Sequence, residues 1–192
     1  MAKKKDFRPD TYRQDYLGKL LLTRKQRQIL LRWLLYSLIC LLALLVQDVV
    51  MSRVSIFGTT TELVPCFILA VCILQGAESG CIFALVGSLI YFFSGSSPGI
   101  WTIPTLTILA VFAAVFRQAY LQKGLSTLLL CLTVSMVLYE LSNFGIGVFL
   151  NFTRSDRLAA FIGTALLSVV VIPLCYPILM SIGKIGGETW KE

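Results

Sequence analysis

The chain has 192 residues, of which 57% are hydrophobic and only 14% charged, with a mean hydropathy of +0.82 and a formal net charge of +7. That charged fraction lies well below the roughly 25% of soluble domains, and the apolar residues fall in long runs rather than in ten-residue alternating segments. A soluble globular domain and a membrane β-barrel are therefore excluded, and the expectation is an all-α, polytopic membrane bundle of about six transmembrane helices, with no separate soluble domain.

Residues 1–29 form a basic N-terminal tail. Ten of the 17 Lys and Arg residues, Lys3, Lys4, Lys5, Arg8, Arg13, Lys19, Arg24, Lys25, Arg27 and Arg32, precede or open the first apolar run. A basic tail can bind nucleic acid, but a membrane span follows at once. The reading is a positive-inside signal in contact with anionic membrane lipid, through Lys3, Lys4, Lys5, Arg24, Lys25 and Arg27, and no nucleic acid is expected as a partner. Leu17, Leu20 and Leu21 sit at helical spacing within the tail, which fits either an interfacial helix or a simple basic tail. The basic region is too long for a secretory n-region and no A-x-A site follows, so the first span is read as an uncleaved anchor.

Six spans are predicted at about 30–50, 63–75, 80–93, 100–116, 125–141 and 158–182, followed by a short tail, 183–192. The second and third are short of the roughly 20 residues a full crossing needs. They are read as a tight hairpin with Gln75–Gly80 as its joint, a re-entrant pair being the alternative. From Glu62 to Arg117 the only ionisable residue between the two ends, beyond tyrosine and cysteine, is Glu78. Pro65 and Pro104 fall in first turns, where a missing N–H is harmless, whereas Pro173 and Pro177 lie inside the sixth span and predict a kink. Gly76, Gly80, Ala84 and Ser88 recur every four residues, and Ala110, Ala113 and Ala114 give the fourth span a second small face. Such rows allow close helix approach. With both termini inside, fourteen of the Lys and Arg residues lie in cytoplasmic regions and three, Arg53, Arg154 and Arg157, lie outside.

Chemistry-bearing residues are sparse. There is no histidine and hence no ordinary triad, no Walker-type loop, and no carboxylate paired at helical spacing with a base or a second acid. The six cysteines lie in predicted spans without a C-x-x-C and read as small apolar packing residues. No enzyme activity, cofactor or metal is expected. Glu140 stands apart: a carboxylate in or near a bilayer is costly and should face the bundle or a partner, unless it sits at the outer interface beside Ser142, Asn143 and Gly145. Gly87, Gly95 and Gly99, with Tyr91 between the first two, mark close packing and a turn.

The series Gln47 … Gly58 … Pro65 … Gln75-Gly76 … Gly80 … Gly87-x-x-x-Tyr91-x-x-x-Gly95-x-x-Pro98-Gly99 resembles the rod shape-determining MreD family, over about residues 40–180. The aspartate usual in the middle of that family's third-span motif is Tyr91 here, and the long basic N-terminus lies outside the usual pattern. The resemblance implies a non-catalytic, multi-pass subunit of the bacterial cytoplasmic (inner) membrane, with cytoplasmic termini. Its role would be in cell elongation and peptidoglycan synthesis. Implied partners are a bitopic MreC-like protein, a RodA-type polymerase, a transpeptidase and MreB filaments. Glu140, Tyr91, Gly87, Gly95 and Gly99 are the candidate partner-binding residues. The family is similar in fold to the substrate-binding subunits of energy-coupling-factor vitamin transporters, which supplies the alternative function; the first span lacks the A-x-x-x-A docking face those subunits carry.

Overall fold

A computed structural model describes residues 24–50, 59–120 and 124–185. It is all-helical over them. Helices α1 (Arg24–Val49), α2 (Leu63–Gln75), α3 (Ala77–Phe93), α4 (Thr102–Tyr120), α5 (Leu125–Phe149) and α6 (Leu158–Gly183) follow in order, with one 3₁₀ turn at Ser155–Arg157 before α6. The helices alternate in direction. The start of α1, α3 and α5 and the finish of α2, α4 and α6 share one end of the bundle, here the Arg117 end. The opposite end carries Asp48 and the Ser94–Gly99 turn, where the Ser96 hydroxyl donates to Asp48 Oδ1 at 2.6 Å.

The organising element is α2. Its sequence LVPCFILAVCILQ has no polar stripe, and a helix that is apolar all round belongs in a core. Every residue from Leu63 to Leu74 is buried, and α2 touches each of the other five helices. Those five form a ring around it in the order α1, α3, α4, α5, α6, closing where α6 meets α1. The outward faces of the ring carry Leu34, Leu38, Leu41 and Leu45 on α1, Ile108 and Phe112 on α4, Leu130 and Val134 on α5, and Val170 and Leu174 on α6, all exposed. In water that surface would be a liability; in hydrocarbon it is solvated. The helices α1, α4, α5 and α6 are long and apolar enough to cross a membrane, whereas α2 and α3 are shorter apolar helices.

At 1.5 Å per residue the 13 residues of α2 extend about 20 Å, against a hydrocarbon thickness of about 30 Å. A helix this short and buried on every side cannot reach water at both ends, so the free N–H and C=O groups of its termini need partners within the protein. Neighbouring helices supply the caps. At the start, the Val64 N–H donates to Gln47 Oε1 of α1 at 2.9 Å and the Glu62 N–H to Ser168 Oγ of α6 at 2.8 Å. At the finish, Arg117 of α4, only 6% exposed, donates from Nη1 to the carbonyls of Ile73 and Leu74. Gln75 Nε2 donates to the Tyr36 hydroxyl at 2.8 Å, and that hydroxyl donates to the Leu179 carbonyl at 3.2 Å, tying α1, α2 and α6 together.

The predicted boundaries need four corrections. The joint expected at Gln75–Gly80 is Gly76 alone, whose φ of 96° fits a glycine, and α3 starts at Ala77. The fourth helix runs to Tyr120 rather than 116, so Arg117 is a buried helical residue and not a loop marker. The fifth continues to Phe149 rather than stopping at 141, because Ser142, Asn143 and Gly145 stay helical. The first begins at Arg24 rather than 30, which brings Arg24, Lys25 and Arg27 out of the tail and onto α1. The sixth helix passes through Pro173 and Pro177 without a break. Lys3, Lys4, Lys5 and the leucines of the proposed interfacial helix lie outside the described residues.

Candidate functional site: a buried polar cluster

Five helices place polar side chains together in the Asp48 half of the bundle. Glu140 and Asn143 lie one turn apart on the inward face of α5, with Tyr139 beside them. Gln47 comes from α1, Tyr91 from α3, Thr102 from the first turn of α4, Ser168 from α6, and Glu62 from the residue that opens α2. Tyr91 is fully buried, Glu140 is 2% and Asn143 4% exposed, and Glu62 is partly open. Glu140 stands nine residues inside the end of α5, about 14 Å along the axis, at the level where α1 and α3 end and α2 and α4 begin.

Part of this cluster is a hydrogen-bonded chain. Gln47 Nε2 donates to the Tyr91 hydroxyl at 3.3 Å while its Oε1 accepts from Val64 N–H, and the Tyr91 hydroxyl points at Glu62 Oε2 at 3.5 Å. Thus Tyr91 connects α1 to the start of α2. The other part has no such closure. Buried atoms of Glu140 (Oε1), Asn143 (Oδ1 and Nδ2), Tyr139 (OH) and Thr102 (Oγ1) have no hydrogen-bond partner. The Tyr139 hydroxyl faces Glu62, Glu140, Asn143 and Thr102 without reaching normal hydrogen-bond geometry with any of them. The two carboxyl groups sense each other electrostatically, and among the described residues no cation faces either one. Buried polar groups are almost always paired, by protein or by water, so a group of unpaired ones around two carboxyls is a candidate site.

The remaining candidate residues fall elsewhere. Gly80, Ala84, Gly87, Ser88 and Tyr91 are the buried face of α3. A Cβ on Gly80 would stand 2.9 Å from Cys72 Cα, and one on Gly87 would stand 2.9 Å from Ile68 Cδ1. The small-residue row thus seats α3 on α2, and Ala110, Ala113 and Ala114 are likewise buried. Gly95, at φ 80°, forms the turn after α3, and Gly99 abuts the Trp101 ring. Arg27 is exposed at the Arg117 end. Among the described residues no group of three or more His, Cys, Asp or Glu side chains is placed to hold a metal ion.

Sequence reasoning singled out Glu140 and Tyr91 but not Gln47, Glu62, Tyr139, Asn143 or Ser168 as members of one site. A signal was available: with alternating spans, each of these falls toward the same end of its helix. The chain matches no family model, no curated protein and no solved structure.

Proposed function

We propose that this chain is a non-catalytic membrane subunit of the bacterial cell-elongation machinery. In this reading six spans, with both termini in the cytoplasm, form a bundle of the cytoplasmic membrane that binds an MreC-like bitopic protein and wall-synthesis partners. The observation that supports it is where the residues carrying the MreD resemblance lie. Pro65 sits in the first turn of α2, Gly76 is the whole α2–α3 joint, and Gly80 and Gly87 are contact points at which a Cβ would strike α2. The shared residues are those on which the packing of the buried hairpin depends, so the likeness concerns the architecture of the bundle. An apolar exterior around a rigid, internally capped core suits a protein that acts by helix-face association rather than by making bonds. On this reading the host is a rod-shaped bacterium, and depleting the protein is expected to give rounded cells with misplaced wall synthesis; unchanged shape and growth would refute the reading.

The polar cluster favours a second reading, a solute-binding subunit of an energy-coupling-factor-type vitamin transporter. There the same depletion leaves shape intact and abolishes uptake of one small molecule.

A further inference from the structure

We infer that the polar cluster is a binding site for one positively charged group, an alkylammonium or guanidinium, inserted between Glu62 and Glu140. The inference rests on neither proposed role, since the cation can be a free solute or the Lys or Arg side chain of a membrane partner.

Glu140 is buried beside a second carboxyl, has an oxygen with no hydrogen bond, and faces no cation among the described residues. Two carboxylates in a medium of low dielectric are a costly arrangement, relieved either by protonation or by a cation placed between them. What surrounds them is suited to completing the coordination of such a cation. Asn143 Oδ1 and the hydroxyls of Thr102 and Tyr139 can accept from such a cation, and the unpaired Asn143 Nδ2 and the two hydroxyl hydrogens are free to donate to the carboxyls. An ammonium carries three donors and a guanidinium five, and neither carries an acceptor, so either group satisfies oxygen atoms that the protein leaves open. An anion would meet two carboxyls, and an apolar ligand would leave all the unpaired atoms as they are.

The site also has a fixed side and an open side. Tyr91 is held by Gln47, and Gln47 by the capped start of α2, so this wall is pre-positioned. Glu62 is the partly open residue, and Glu140 lies beneath it. Glu62 thus marks the Asp48 end as the side nearer to the surface.

The test uses the full chain, purified in mild detergent, with n-butylammonium and n-butylguanidinium as probes and n-butanol as the uncharged control. At about ten times the dissociation constant a bound cation raises Tm by roughly 3–6 °C for a chain of this size. That rise is expected for the natural chain with at least one of the two cations, and is expected to vanish in Glu140→Gln and in Glu62→Gln. Two carboxyl variants are used so that a folding defect in one does not decide the outcome. No rise in the natural chain, or an equal rise in the variants that fold, overturns the inference. Native mass spectrometry of protein taken from its own membrane then separates the sources. A retained small basic molecule, lost in Glu140→Gln, identifies a solute, and a retained protein, lost in the same variant, identifies a partner side chain. Survival of either species in both variants overturns the assignment to this site.

Discussion

Arg117 is the residue on which the fold's least ordinary feature turns. Replacing it with Met keeps most of the length and removes the donors that reach the Ile73 and Leu74 carbonyls. Those carbonyls end a helix buried on every side, and each left without a partner costs about 1–3 kcal/mol. Relief of the arginine's own burial offsets part of this, which leaves a net loss of about 3 kcal/mol. For a chain of 150–250 residues that corresponds to a fall in Tm of roughly 6–12 °C. The assay is thermal unfolding in mild detergent followed by tryptophan fluorescence, with Trp33 reporting directly because it packs 5.9 Å from Tyr36, centroid to centroid, near the same end. Arg117→Lys keeps the charge but not the planar fork and should recover only part of the loss. Arg27→Met makes the same charge change at an exposed site and should move Tm by less than about 2 °C. If Arg117→Met unfolds within 2 °C of the natural chain, the capping argument for α2 is wrong.

Other substitutions test the remaining supports. Gln47→Leu strands the Val64 N–H and releases Tyr91, and should destabilise the chain by about 1–3 kcal/mol, read by the same unfolding assay. Gly80→Val forces a side chain into the Cys72 backbone and should cost about 1–3 kcal/mol or prevent folding, whereas Gly145→Ala, with open space around it on α5, should be neutral or stabilising by a few tenths to about 1 kcal/mol. Cys66 and Cys72 are fully buried whereas Cys81 and Cys175 are partly exposed. For protein in mild detergent, a small maleimide, which needs the thiolate, should therefore label Cys81, one turn into α3, faster than Cys175, and should reach Cys66 and Cys72 only after denaturation, as read by peptide mass mapping.

The span pattern was legible because apolar run length and the positions of proline and glycine are local properties, and α2 and α6 begin where the sequence places them. The small-residue row of α3 was legible too, since a four-residue period survives in the linear chain. Legibility fails where a polar residue's role depends on its neighbours in space. Arg117 beside a loop reads as a topology signal, and only the depth at which α2 ends turns it into a cap. Ser142, Asn143 and Gly145 read as the end of a span, yet α5 carries them as ordinary helical residues, and Asn143 joins Glu140 on its buried face. The cluster draws Gln47, Glu62, Tyr91 and Glu140 from four separate segments, and no spacing rule connects residues that far apart. The central position of α2 was readable in principle, from thirteen residues with no polar face.

Purification of the protein from its own host at native abundance, with identification of what accompanies it, tests the proposed function most directly. The account predicts an MreC-like bitopic protein together with wall-synthesis enzymes. Recovery instead of paired ATPases with a shared membrane subunit, or of a tightly held vitamin, would contradict it and establish the chain as a transport component.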